Sequence, residues 1–283
     1  MEMTKIIAEL GINHLGDIEI AKRMICSAKD AGADYVKFQK RDVDWCYTSE
    51  ELKNSCESPW GTTVEDKVRG RELNWDQFKE IDRFCRNLCI DWSASCFDLK
   101  SLNDLESLFP YRPWNKVPSA MAVHQEFIES VARYKRLALV SIGLCTDKQV
   151  ESISDTFERH GCDYVFLHTT ALYPCPLDRL NLSVIPVLVE AFHEKKHCVG
   201  VGYSGHEVGV MPSVMACGMG AMWIERHFTL DRSMYGADQA ASLEPEGLKR
   251  LVRDIRSLSS IRGDGVRRLL GDEKNPVRYF RSA

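Results

Sequence analysis

The chain has 283 residues, 44% of them apolar and 28% charged, and a net charge of −4. That length supports a large core, built as one α/β barrel or two smaller domains. Interspersed, slightly acidic charge excludes a nucleic-acid footprint or a basic membrane-binding helix. The N-terminal MEMTKIIAEL carries no signal-peptide pattern and no apolar run approaches a membrane span, so a cytoplasmic protein without membrane partners is expected.

Strand and helix patterns alternate along the chain. KIIAEL (5–10) reads as a strand, 17–33 as a helix ending near a glycine, and DYVKFQ (34–39) as a second strand. Residues 40–73 are polar and read as an irregular excursion over one face. A helix at 75–89, a strand at 90–98 and a short helix at 99–108 lead to a strand at 114–119. A helix at 124–134, a strand at 137–143, a helix at 146–160 and a strand at 163–170 follow. Residues 182–195 read as helical, with Pro186 either in the first turns or at a kink. Then come a strand at 198–206, a helix at 209–221, a strand at 222–228 and a last helix at 244–261. These are eight β-then-α units, which suit a single (β/α)₈ TIM barrel over 1–283, with 262–283 as a tail. A doubly wound sheet is the alternative, but GINHLG after the first strand is not its GxGxxG loop.

Eleven cysteines are an odd number at irregular spacing, with no CxxC pair, and read as reduced thiols. Cys85 and Cys89 share a helical spacing that suggests one buried face.

In a barrel the active site lies at the C-terminal strand ends. Polar residues gather there: Glu9 and Asn13–His14, Lys37 and Gln39, Ser95, Lys116 and Ser119, Ser141, His168 to Thr170, Ser204 and His206, Glu225 and His227. His206 and His227 end neighbouring strands. Two imidazoles can share an open Mn²⁺, Fe²⁺ or Zn²⁺ site, or each can bond a backbone carbonyl. Glu9 is a candidate acid/base or holder of a metal-bound water; its packing alternative is a salt bridge in the barrel mouth. Lys37 and Lys116, ringed by Ser95, Ser119, Ser141 and Ser204, describe a pocket for a carboxylate and a phosphate, the alternative being internal Lys–Glu pairs. Asp238 suits a supporting carboxylate or a hydroxyl acceptor, whereas Ser242, Pro245 and Glu246 read as a helix start capped by Ser242.

Four segments carry a resemblance: residues 8–39, LHTTALYPCP (167–176), GYSGHEVG (202–209) and IERHFTLDRSMYGADQAASLEPEGL (224–248), with ASCFD and KVPS in register between them. The chain resembles the N-acetylneuraminate (sialic acid) synthase family, whose catalytic domain is a (β/α)₈ barrel. The resemblance implies a phosphoenolpyruvate-dependent synthase. It would condense phosphoenolpyruvate with the aldehyde of an open-chain sugar to a 2-keto-3-deoxy acid, releasing phosphate. It also implies a divalent metal on His206 and His227, with Mn²⁺ first and Mg²⁺, Co²⁺ or Fe²⁺ as alternatives. Lys37, Ser95, Lys116, Ser119, Ser141 and Ser204 would grip phosphoenolpyruvate, and Glu9 would act through a metal-bound water. Gln39, Met121, Tyr173 and Asp238 would face the acceptor, with Glu225 and Arg226 supporting the site.

Departures from the family pattern fall mainly on the acceptor side. Met121 stands where the family places a sugar-binding Glu, Ala171 where it has Asn, and Gly205 where it has Asp. The sequence ends at NPVRYFRSA, where the family leads into a C-terminal antifreeze-like domain that helps hold its dimer. Self-association is expected only weakly, and an acceptor other than N-acetylmannosamine is expected. The rival readings are a metal-dependent pyruvate aldolase and a subunit completed by a partner.

Overall fold

The computed structural model describes residues 3–268, and the expected tail beyond 268 lies outside the described residues. Its ten strands are β1 (Lys5–Gly11), β2 (Tyr35–Lys40), β3 (Ser55–Ser58), β4 (Gly61–Thr63), β5 (Asp91–Cys96), β6 (Asn115–Val117), β7 (Ala138–Ser141), β8 (Tyr164–Thr169), β9 (Cys198–Gly205) and β10 (Trp223–His227). Eight of them close a barrel in the order β1-β10-β9-β8-β7-β6-β5-β2, with every neighbour parallel. The expected (β/α)₈ TIM barrel is the observed fold.

Side chains on a strand alternate faces, and the barrel uses both. Ala8, Val36, Phe38, Ala94, Val117, Val140, Phe166 and Ile224 point out and fuse with the helix faces into the main core. Ile7, Leu139, Val165, Leu167 and Trp223 point in, closing over Trp114 as a separate cluster in the barrel. Two residues further along the same inward rows stand Glu9, Ser141, Thr169 and Glu225. The barrel is thus plugged by an apolar layer at one level and polar at the next, towards the C-terminal strand ends.

The helices obey local rules. Asp17 caps the helix Ile18–Asp30 by accepting from the Glu19 and Ile20 N–H groups, an arrangement worth about 1 kcal/mol. Pro186 falls in the first turn of Val184–Phe192, where its missing N–H costs no helical bond.

Three expectations need correction. Residues 40–73 are not irregular: they hold short helices at Val43–Cys46, Ser49–Lys53 and Val64–Gly70 and the antiparallel pair β3–β4. Capping boxes at Thr48 and Thr63 start two of these helices. The last helix, Pro245–Arg262, has Glu244 rather than Ser242 at its N-cap. Ser242 is instead taken up in long-range bonding, accepting from the Asn13 amide at 2.9 Å and donating to the Asp238 carbonyl at 2.7 Å. Cys85 is buried but Cys89 is exposed, because the helix ends at Asn87. Among the described residues no helix is long and apolar enough to cross a membrane.

Candidate active site

A cavity of about 220 Å³ opens at the C-terminal ends of the barrel strands. Its floor is built by register. Glu9 lies opposite Lys37 on one side and His227 on the other. Gln39 faces Ser95, Ser95 faces Lys116, and Glu225 faces Ser204. The inward positions at the strand ends, Glu9, Lys37, Gln39, Ser95, Lys116, Ser141, Ser204, Glu225 and His227, are therefore polar.

The two lysines are held differently. The Lys37 Nζ sits 3.2 Å from Glu9 and 3.1 Å from Glu225 and donates to Ser95 Oγ at 2.8 Å. The Lys116 Nζ donates to Ser141 Oγ at 2.7 Å and to the Val117 carbonyl at 3.1 Å, with Glu225 at 3.9 Å. Internal Lys–Glu pairing is therefore present for Lys37, whereas Lys116 rests chiefly on neutral oxygens. All four charged groups are almost fully buried, so their protonation is set by one another. Burial raises the Glu9 carboxyl, and Glu225 adds to this against the pull of Lys37. Burial acts on Glu225 too, but Lys116 and Lys37 together hold it below the carboxylate range. Burial lowers the Lys116 ammonium to about 8, against the attraction of Glu225. With Glu9 holding its proton near neutrality, the set carries two cations against one carboxylate. That excess suits an anion.

His206 and His227 lie with ring centroids 5.4 Å apart, and Tyr173 packs 4.0 Å from the His206 ring. The His206 Nδ1 meets the Thr170 carbonyl at 2.9 Å. That bond fixes the proton on Nδ1 and leaves Nε2 with a free lone pair, as in oriented metal-ligating imidazoles. His227 Nδ1 is buried without a hydrogen-bond partner, and the Asp238 carboxylate lies 3.7 Å from it. Burial lowers His206 to about 4, with His227 adding to the effect. It lowers His227 to about 3, helped by Lys37. Both rings are therefore neutral donors at physiological pH. Among the described residues no group of three or more His, Cys, Asp or Glu side chains gathers for a metal. The pair fits an open two-imidazole site rather than a closed cage.

The other candidates divide by facing. Gln39, Ser119, Tyr173 and Ser204 line the cavity. Gln39 donates to Glu9 Oε1 at 3.2 Å and accepts from Arg41 at 2.6 Å. Asp238 stands at its edge, raised by burial against the fields of His206, Arg71 and Arg41. Met121 packs against the hydrophobic core, and Ala120 and Ala171 form wall in that region. Arg226 points out of the barrel, as its odd position between Glu225 and His227 requires, and pairs with Glu207. Gly205 has no room for a side chain: a Cβ there would meet Glu207 Oε2 at 2.4 Å. His168 faces outward onto the Leu180 carbonyl at 2.7 Å, and Asn13 ties the first loop to the Phe228 carbonyl at 2.9 Å. Phe97, Pro118, Leu144 and Thr169 also line the cavity. Thr169 lies on an inward row that strand alternation reveals; the others follow strand ends in loops, where no period marks facing.

Comparison with known proteins places this geometry. The sequence profile of the NeuB family matches residues 24–267. The N-acetylneuraminate-9-phosphate synthase of Mus musculus is 35% identical over 267 residues, spanning 94% of this chain and 73% of the relative. The N,N'-diacetyllegionaminic acid synthase of Campylobacter jejuni is 32% identical, spanning 100% of this chain and 84% of the relative. The crystal structure of an N-acetylneuraminic acid synthetase from Leptospira borgpetersenii superposes with a TM-score of 0.84 at 27% identity, covering 99% of this chain and 92% of that one. With likeness in sequence and in fold running the length of the barrel, the chain belongs to the NeuB family.

Proposed function

We propose that this barrel condenses phosphoenolpyruvate with the aldehyde of an open-chain sugar, giving a 2-keto-3-deoxy acid and inorganic phosphate. The observation that carries the reading is one cavity holding both Lys37 and Lys116 among serine hydroxyls and the facing pair His206 and His227. Lysines with hydroxyl donors suit the carboxylate and phosphate of phosphoenolpyruvate. His206 and His227 would hold a divalent cation, Mn²⁺ first, with Mg²⁺, Co²⁺ or Fe²⁺ as alternatives. When bound, that ion supplies Lewis acidity to the acceptor carbonyl.

In the reaction C3 of phosphoenolpyruvate forms a bond to the aldehyde carbon, whose oxygen takes up a proton. Water adds at C2, and phosphate leaves as the C2 carbonyl forms. Lys37 and Lys116 fix the donor so that C3 faces the acceptor. Glu9, protonated near neutrality by its burial, is placed to give or take a proton where these oxygens develop. Phe97, Pro118 and Leu144 form apolar wall that limits competing water. Ala171 gives an apolar surface where the family has an amide, and favours an acceptor other than N-acetylmannosamine. Among the relatives are synthases of sialic, legionaminic and pseudaminic acid. They lend no support to a pyruvate aldolase or a subunit completed by a partner.

The test is incubation of manganese-loaded protein with phosphoenolpyruvate and a panel of aldoses and N-acyl aldosamines, following phosphate release and product mass. A product equal in mass to acceptor plus pyruvic acid, lost in His227→Ala, supports the reading. Turnover of free pyruvate with none of phosphoenolpyruvate would replace it with the aldolase.

A further inference from the structure

Gln39 has both ends of its amide committed. Its Nε2 donates to Glu9 Oε1 at 3.2 Å, and its Oε1 accepts from Arg41 Nη2 at 2.6 Å. Glu9 and Gln39 meet because Gly11 has no side chain. At its φ of +53°, a Cβ there would stand 3.2 Å from Gln39 Nε2 and 3.2 Å from Glu9 Oε1. Glu9 Oε2, by contrast, has no hydrogen-bond partner and lies 3.2 Å from the Lys37 ammonium. One carboxyl oxygen of Glu9 is thus tied back, and the other is left unbonded.

Arg41 is not part of the reacting cavity. It follows β2, is buried, and lines a separate cavity of about 360 Å³ with Lys40, Glu72 and Trp75. Three contacts fix its plane. Its Nε lies 3.0 Å from Glu72 Oε1, its backbone N–H donates to Glu72 Oε2 at 3.3 Å, and its guanidinium carbon sits 4.6 Å from the centre of the Phe97 ring. Glu72 also meets the Lys40 ammonium at 3.4 Å. A guanidinium has donors and no acceptor. Held against Gln39, it admits only the amide oxygen on its side, which leaves the amide NH₂ facing Glu9. Without Arg41 the amide is free to turn over. Its oxygen would then face Glu9, accept the proton of the carboxylic acid and hold it away from the reacting oxygens.

We infer that Arg41 is a positioning residue for the condensation: through Gln39 it keeps Glu9 Oε1 an acceptor, so that Oε2 is the oxygen that exchanges a proton with the reactants. The inference rests on the condensation proposed above and on the role given there to Glu9. The field of Arg41 also reaches Asp238. That route does not pass through Gln39, so removing Gln39 separates the two.

Steady-state rates would be compared on phosphoenolpyruvate and the best acceptor of the aldose and N-acyl aldosamine panel, for the parent protein, Arg41→Met, Arg41→Lys, Gln39→Ala and Arg41→Met with Gln39→Ala. Methionine keeps a stem over Phe97, and Glu72 keeps Lys40 as a partner; should circular dichroism show Arg41→Met unfolded, Arg41→Leu replaces it. Arg41→Met should lower kcat at least about tenfold with KM for phosphoenolpyruvate within about twofold, and the double variant should match Gln39→Ala within about twofold. Arg41→Lys should recover part of the loss, since an ammonium still donates to Gln39 Oε1. An unchanged kcat in Arg41→Met, or a loss that multiplies with that of Gln39→Ala, overturns the inference and leaves the condensation standing. If the parent protein condenses no acceptor of the panel, the infrared carboxyl band of Glu9, identified by its loss in Glu9→Gln, decides. A band displaced in both Arg41→Met and Gln39→Ala supports the positioning while the condensation fails; a band that either variant leaves in place overturns it.

Discussion

Glu207 and Arg226 form an ion pair at 2.8 Å with neither side chain exposed. Each is the immediate neighbour of one of the paired histidines, so the contact ties the end of β9 to β10 behind the cavity and fixes the spacing of His206 and His227. The guanidinium also donates to the Gly209 carbonyl and Ser213 Oγ, and Tyr203 donates to Glu207 at 2.8 Å. Glu207→Gln should cost about 3 kcal/mol, since it leaves a buried cation short of its carboxylate. Replacing both partners by Met should cost less than the sum of the single changes. Urea midpoints read both; additive losses would show that the two residues do not act as a pair.

The two lysines should separate stability from binding. Lys37 pairs with the Glu225 carboxylate and also contacts the protonated Glu9, so Lys37→Met should destabilise by about 3 kcal/mol or more. Lys116 leans on Ser141 and helps hold Glu225 ionised from 3.9 Å, so its loss should cost less than that of Lys37. Both changes should raise KM for phosphoenolpyruvate at least about tenfold, because each removes a cation from the anion site. Burial lowers Lys116 to about 8, so kcat/KM for phosphoenolpyruvate should fall as pH rises past that value and the ammonium is lost. Lys116→Arg should remove this limb, since guanidinium stays charged. Unchanged pH profiles in the variant would assign the limb elsewhere.

For the histidine pair, the expected readout is manganese affinity. His206→Ala or His227→Ala should weaken Mn²⁺ binding by about a hundredfold or more, each removing one of two protein donors. Thermal stability without metal should change little in His227→Ala, because His227 Nδ1 already lacks a partner. It should fall more in His206→Ala, which leaves the Thr170 carbonyl without its donor. His168→Asn is the control, as that ring faces the Leu180 carbonyl outside the cavity. Calorimetric titration of the three variants checks this, and undiminished binding in both alanine variants would place the ion elsewhere.

The barrel was readable because strand and helix periods alternate eight times, and strand alternation already assigns Glu9, Lys37, Glu225 and His227 to one face. Short elements with no period were not readable. The 40–73 segment is held by capping boxes and by glycine contacts to Trp60 and to the first loop, which only the folded chain brings together. Ser242 shows the limit of a local signal: a serine three residues before an acidic helix start looks like a cap. Its hydroxyl went to Asn13, 229 positions away. Met121 is similar. The one-turn helix Ser119–Ala122 rotates it onto the core and leaves Ala120 at the wall, a facing that four residues cannot announce.

His14 should shape the acid limb of the stability curve. Its ring is buried, and burial lowers it from 6.5 to about 4. The unfolded chain therefore binds a proton that the native protein refuses between those values. Stability is fully present above about pH 6.5 and is lost as pH falls towards 4, by at most about 3 kcal/mol for this group. The Gly16 N–H donates to His14 Nδ1 at 3.1 Å, a contact that His14→Asn can keep in part. In that variant the loss between pH 7 and pH 5 should shrink; an unchanged slope would assign the acid sensitivity to other groups.

Gly16 and Gly218 should respond to alanine with opposite signs. Gly16 has φ of +75° and its missing Cβ would overlap the Gly70 carbonyl oxygen at 2.0 Å. Backbone strain and a clash with rigid main chain add, so Gly16→Ala should destabilise by about 2 kcal/mol or more. Gly218 ends the helix Met211–Gly218 with open space where a Cβ would go. There alanine only restricts the unfolded chain and favours the helix, a gain of about 0.5 kcal/mol. Denaturation midpoints measure both, and the contrast isolates the docking of the Val64–Gly70 helix. If Gly16→Ala were neutral, the first loop would be free to move away from Gly70, and the close docking of the Val64–Gly70 helix on it would not hold.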